Sequence, residues 1–202
     1  MLVKFCGLKR IEDIQMCNKL FPDMIGLIFA ESPRKVDVEL AEKILKVKGN
    51  FIKAVGVFKN QSVFDVLKIA KRLGLDFVQL HGEEDLEYVK FLRQEGVSVI
   101  KAVEISSEED LRKAEKYVNL VNFVLLDRPK GSDLDITQIA KLAKFPYIIA
   151  GGITLENLDK FLALSPVGID ISSGIETNGL KDYKKMKGII ERVKPLRNGG
   201  LG

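Results

Sequence analysis

Phe123-Val124-Leu125-Leu126-Asp127 is a run of four apolar residues closed by a carboxylate. It does not alternate between apolar and polar, so both faces of the extended chain are buried, as in a parallel sheet covered on each side. Seven runs of the same kind stand around it: Leu2-Val3-Lys4-Phe5-Cys6, Met24–Phe29, Ile52–Phe58, Phe77–Leu80, Ser98–Val103, Tyr147–Ala150 and Gly168–Ile171. Their starts lie 21 to 28 residues apart. Between them run amphipathic stretches of helical period. Val38–Val47 puts Val38, Ala41, Ile44 and Leu45 on one face, and Val63–Leu73 does the same with Val63, Val66, Leu67, Ala70 and Leu73. Leu86–Leu92 and Leu155–Leu164 follow, with helix starts marked at Ser106-Ser107-Glu108-Glu109 and, more weakly, at Thr154-Leu155-Glu156-Asn157. Eight strand–helix units in 202 residues predict an α/β fold, a closed parallel (β/α)8 barrel in one domain. The rival is an open doubly wound sheet. Even spacing of eight strands argues for closure, and no Gly-x-Gly-x-x-Gly follows the first strand. The barrel is expected over residues 1–196, with 197–202 a frayed tail.

Composition excludes several classes. At 46% apolar and 30% charged residues the chain is not disordered. A chain of this length buries roughly 70% of its unfolded surface, enough for one core. No apolar run reaches the roughly 18 residues of a membrane-spanning helix. The opening MLVKFCGLKR has no apolar core of signal-peptide length, so a cytoplasmic protein is expected. Two cysteines and the single His81 leave no material for a disulfide scaffold, a zinc module or a multi-histidine metal site. The net charge of +4 is spread thinly, and the densest cluster, Lys181, Lys184, Lys185 and Lys187, reads as the solvated face of a C-terminal helix rather than a nucleic-acid surface. No interface patch that would set an oligomeric state is legible.

In such barrels chemistry sits at the C-terminal ends of the strands. The last two ends are rich in anion donors: Gly151-Gly152, and Asp170-Ile171-Ser172-Ser173-Gly174. Glycines admit backbone N–H groups to an anion, serine hydroxyls add donors, and a short helix after the eighth strand would aim its positive end there. A phosphate is therefore expected on Gly151, Gly152, Ser172, Ser173 and Gly174, without a dedicated lysine. Cys6 ends the first strand, with Lys4 two residues earlier on the same face. Lys4 is expected to point into the barrel, to pair with Asp170, and to keep the Cys6 thiolate ready at neutral pH. Cys17, mid-helix, reads as a small buried hydrophobe. Asp127 ends a buried strand, where partial desolvation favours the neutral carboxyl that a general acid needs. Arg34 has the planar fork for a carboxylate. His81 fits three roles: a catalytic tautomer, a polar wall of the substrate site, or a satisfied structural histidine.

These residues also fall in known surroundings. Val3-Lys4-Phe5-Cys6-Gly7-Leu8, Gly56-Val57-Phe58-Lys59-Asn60, Gln79-Leu80-His81-Gly82-Glu83, Leu125-Leu126-Asp127, Ala150-Gly151-Gly152-Ile153 with Glu156-Asn157, and Asp170–Glu176 resemble, in order, the phosphoribosylanthranilate isomerase family. The resemblance spans nearly the whole chain. It implies a (β/α)8 barrel that converts N-(5-phosphoribosyl)anthranilate into 1-(2-carboxyphenylamino)-1-deoxyribulose 5-phosphate, an Amadori rearrangement of tryptophan biosynthesis, with no cofactor and no metal. Carried over by motif, Cys6 is the general base, Asp127 the general acid and Arg34 the ligand of the anthranilate carboxylate. Gly152 and Ser172-Ser173-Gly174 hold the phosphate, and Asp170 faces the ribose or orders the site. The stretch Arg128–Ile136 departs from the family: it keeps Gly131-Ser132 and Asp135 but lacks a second glycine and an aromatic pair, which predicts a shorter lid. Two alternatives stand beside this reading, another phosphosugar-processing barrel enzyme and a non-catalytic barrel that binds a phosphoribosyl ligand.

Overall fold

The structure, a computed structural model, describes residues 1–194. Eight parallel strands close into a barrel in chain order. They are β1 (Leu2–Cys6), β2 (Met24–Ile28), β3 (Lys53–Phe58), β4 (Phe77–Leu80), β5 (Val99–Glu104), β6 (Phe123–Asp127), β7 (Tyr147–Ile149) and β8 (Gly168–Ile171). Closure is made by β1 against β8, with Lys4 registered opposite Asp170. Each predicted strand begins within one residue of its observed start.

Helices form the outer ring: α1 (Ile11–Leu20), α2 (Val38–Lys46), α3 (Val63–Leu73), α4 (Leu86–Gln94), α5 (Glu108–Glu115), α6 (Thr137–Ala140), α7 (Leu158–Leu162) and α8 (Tyr183–Val193). Their buried stripes are those the periodicity marks, Ala41 and Ile44 on α2 and Val66 and Ala70 on α3. The start of α5 at Glu108 follows from the Ser106-Ser107 pair, but the serines act as donors. Both hydroxyls and both backbone N–H groups converge on the Asp110 carboxylate. The stretch from Leu155 is corrected: α7 begins only at Leu158. The Asn157 side chain accepts from Thr154 N–H and donates to Gly152 C=O, which ties residues 154–157 into a turn ahead of the helix. The predicted tail at 197–202 and the last residues of the predicted domain lie outside the described residues.

Two apolar regions follow from the barrel. The large one lies between the outer face of the strands and the helices, where Val3, Phe5, Ile25, Leu27, Val124, Leu126 and Ile149 are buried. The smaller fills the barrel interior with Met24, Val55, Ile100, Ala102, Leu125 and Ile148. This inner plug ends below the C-terminal strand ends, and polar side chains take over there. Among the described residues no helix is long and apolar enough to cross a membrane.

Candidate active site

Every site residue singled out in the sequence lines one cavity of about 420 Å3 at the C-terminal end of the barrel. Lys4 and Cys6 point inward from β1, as alternation requires. The Lys4 ammonium, 1% exposed, lies 2.8 Å from Asp170 Oδ2. Burial works against that ammonium, but the charges of Asp170 and Cys6 and the hydrogen bonds to them together outweigh it and hold Lys4 above the usual lysine range. Asp170 Oδ1 has no hydrogen-bond partner.

The expectation for the Cys6 thiol is corrected. Burial pushes it up from the ordinary thiol value, and the Lys4 charge pulls it only part of the way back. Cys6 is 7% exposed, so desolvation of the thiolate exceeds what one already paired ammonium supplies. Space for the two side chains comes from Gly26 on β2. A Cβ at that position would lie 2.6 Å from Cys6 Sγ and 3.0 Å from Lys4 Nζ. Cys17 is fully buried in α1, and burial lifts its thiol to about 12, in keeping with a packing role.

Asp127 sits at the end of β6, held from two sides. Arg128 N–H donates to its Oδ1 at 2.8 Å, and His81 Nε2 lies 3.1 Å from its Oδ2. His81, at the end of β4, thereby stands beside this carboxylate. β1 and β6 are separated around the ring by β8 and β7, so Cys6 and Asp127 face the cavity from different sides.

Arg34, in the loop after β2, crosses to the far loop after β8. Its Nε and Nη2 donate to Glu176 Oε1 and Oε2 at 2.7 and 2.6 Å. Sequence reasoning placed Arg34 but missed what holds it. Glu176 also accepts from Lys181 Nζ at 2.7 Å, and Lys181 donates to Ser172 C=O at 3.0 Å. Lys181 is therefore buried, contrary to its expected place on a solvated face, and burial lowers its pKa. Burial opposes the Glu176 carboxylate too, yet hydrogen bonds from Arg34 and Lys181 hold it at about 2. The sequence marks only the Asn178-Gly179 turn, not the pairing: Glu176 and Lys181 flank it on two short strands, β9 (Glu176–Thr177) and β10 (Leu180–Lys181).

Gly151, Gly152, Ser172, Ser173 and Gly174, the residues expected to meet a phosphate, come together on one rim of the cavity. Gly151 and Gly152 both have positive φ, 90° and 74°. After β8 the chain makes only a single 3-10 turn, Ser173–Ile175, so isolated N–H groups and hydroxyls replace the expected helix dipole. The Ser172 hydroxyl donates to Cys6 C=O at 3.2 Å, tying the rim to the strand that bears the thiol. The loop after β6 runs from Arg128 to the four-residue α6.

The family described as N-(5'-phosphoribosyl)anthranilate (PRA) isomerase matches residues 3–192. The N-(5'-phosphoribosyl)anthranilate isomerase of Thermoanaerobacter sp. is 39% identical over 96% of this chain and 98% of its own. That of Caldanaerobacter subterraneus is 40% identical over 95% of this chain and 97% of its own. The crystal structure of phosphoribosyl anthranilate isomerase from Thermotoga maritima superposes with a TM-score of 0.87 at 32% identity, covering 97% of this chain and all of that one. A phosphoribosyl anthranilate isomerase crystallised with reduced 1-(o-carboxyphenylamino)-1-deoxyribulose 5-phosphate gives 0.85 at 32% identity, with the same coverage.

Proposed function

This chain belongs to the N-(5'-phosphoribosyl)anthranilate isomerase family, and on that footing we propose how its own residues carry the reaction of tryptophan biosynthesis. The substrate is N-(5-phosphoribosyl)anthranilate and the product 1-(2-carboxyphenylamino)-1-deoxyribulose 5-phosphate. Asp127 is the general acid: it gives a proton to the ring oxygen, the C1–O bond breaks, and a cationic C=N forms at C1. His81 Nε2 and Arg128 N–H hold that carboxyl in place. Cys6 is the general base: its thiolate takes the proton from C2, the C–H pair forms the C1–C2 double bond and the C=N pair returns to nitrogen; the enolamine then takes a proton at C1 and loses that of its C2 hydroxyl, giving the ketone.

The raised thiol fits this order of events. A buried thiol is sparsely ionised in the empty site and a strong base once ionised. The positive C=N adds its charge to that of Lys4 and favours the thiolate when it is needed. Gly151, Gly152, Ser172, Ser173 and Gly174 take the phosphate, and Arg34 takes the anthranilate carboxylate with the guanidinium N–H groups that Glu176 leaves free. Anchoring both ends keeps C1 and C2 between acid and base. Asp170 orders the site through Lys4.

The observation that carries this reading is the placing of Cys6 and Asp127 on separate sides of one cavity, with the donor-rich rim between them. The fluorescence of N-(5-phosphoribosyl)anthranilate tests it: the purified chain consumes the substrate. A chain that binds the substrate without consuming it is the non-catalytic barrel instead.

A further inference from the structure

The charged side chains of the cavity that are at least half withdrawn from solvent are paired, with one exception. Arg34 is engaged by Glu176, Lys181 by Glu176 and Ser172, and Lys4 by Asp170. Among the described residues the Arg128 guanidinium has no hydrogen-bond or ion-pair partner; only its backbone N–H is engaged, with Asp127. Lys59 and Lys130 also line the cavity, but on its exposed outer rim. Arg128 is half-buried and packs onto the glycine turn after β7. A Cβ built on Gly152 would lie 2.8 Å from its Cζ, 2.8 Å from Nη2 and 2.9 Å from Nη1. These near-equal distances lay the guanidinium plane across Gly152. The arginine's own backbone fixes the fit: a Cβ built on Gly151 would lie 2.4 Å from Arg128 Cβ and 2.6 Å from its N, so this turn accepts the arginine only as glycine.

A free guanidinium against a positive-φ glycine turn, in a cavity whose other cations withdrawn from solvent are already paired, is a place for an anion. We propose that Arg128 is a phosphate-binding residue, which closes the rim from the β6 side and sets the preference for a phosphorylated substrate. This rests on the phosphate reading given above and adds to it a full positive charge where backbone N–H groups supply only partial ones. It also links binding to chemistry. The same residue whose side chain grips the phosphate donates its backbone N–H to Asp127, so a seated phosphate steadies the general acid.

The test compares two ligands, reduced 1-(o-carboxyphenylamino)-1-deoxyribulose 5-phosphate and its dephosphorylated form, on the unaltered protein, Arg128→Met, Arg128→Lys and Ser173→Ala. Arg128→Met is expected to weaken the phosphorylated ligand about 10- to 100-fold, the range of hydrogen bonds to charged groups, and to leave the other unchanged. Arg128→Lys keeps the charge and loses the fork, so it falls between. Thermal melting checks the fold, and the lysine variant carries the test if the methionine one melts early. Equal weakening of both ligands overturns the proposal, because Arg128 then acts on the rest of the molecule or on the fold. If Arg128→Met changes nothing while Ser173→Ala lowers the phosphate preference, the rim reading stands and Arg128 is no part of it. If the unaltered protein binds both ligands alike, the rim reading itself fails and takes the proposal with it.

Discussion

Lys4 Nζ and Asp170 Oδ2 meet at 2.8 Å inside the barrel, across the β1–β8 seam and beneath Cys6. Both side chains are almost wholly out of water. The pair closes the barrel and sets the field in which the thiol ionises, and these two effects can be separated.

Lys4→Met leaves Asp170 buried without its partner. Breaking one side of a buried pair costs about 3–5 kcal/mol, which denaturant unfolding will show, and the double variant Lys4→Met with Asp170→Asn regains much of it. In Lys4→Met the Cys6 thiol rises further, since the larger of the two charges that favour the thiolate is gone, Lys181 being the lesser, and the Asp170 charge opposes it. Alkylation rate against pH reads this, and an unchanged midpoint in a folded variant removes Lys4 from the chemistry.

The pH dependence of turnover follows from the same field. The base works deprotonated, and burial raises its pKa, so kcat/KM climbs with pH beyond the ordinary thiol range. In kcat the limb lies lower, because the bound cationic intermediate favours the thiolate. A kcat/KM already flat at neutral pH contradicts the burial argument.

Glu176→Gln weakens the clamp on Arg34 while keeping its shape. KM is expected to rise with kcat little changed. The substitution also alters acid stability. A carboxylate held at about 2 in the fold contributes stability that is present above its ordinary pKa and is lost as pH falls toward 2. Unfolding followed through that window therefore declines less steeply in the Gln variant than in the unaltered protein.

Asp127→Asn keeps the hydrogen-bonding outline of the carboxylate and removes its proton chemistry. A fall in kcat of about 10²–10⁴-fold with affinity for the reduced product analogue retained is expected. A loss confined to KM makes Asp127 a binding group instead.

The barrel was readable because both faces of the strands are largely buried, which writes each strand as a mainly apolar run, as in Phe123–Leu126. Site residues at strand ends were readable for the same reason: position in a barrel is set by where each run stops. Gly26 and the Arg34–Glu176–Lys181 chain were not. They are contacts between elements far apart in sequence, and a glycine within Met24–Phe29 looks like any other small strand residue. The Cys6 thiol was misjudged because Lys4 is visible in the sequence as a neighbour, whereas the degree of burial that outweighs it is a property of the closed barrel. Lys181 was misread among Lys184 and Lys187 because β9 and β10 turn it inward, and a two-residue strand has no periodicity to read.

The central claim is that the Cys6 thiolate removes the C2 proton. N-(5-phosphoribosyl)anthranilate carrying deuterium at ribose C2 tests it most directly, with turnover and release of the label to solvent followed together in the unaltered protein and in Cys6→Ser. The account predicts that the unaltered protein turns the labelled substrate over more slowly than the unlabelled one and passes the deuterium to water, while Cys6→Ser folds, binds the reduced product analogue and loses turnover and label release together by about 10²-fold or more. A folded Cys6→Ser that releases the label at the rate of the unaltered protein contradicts it.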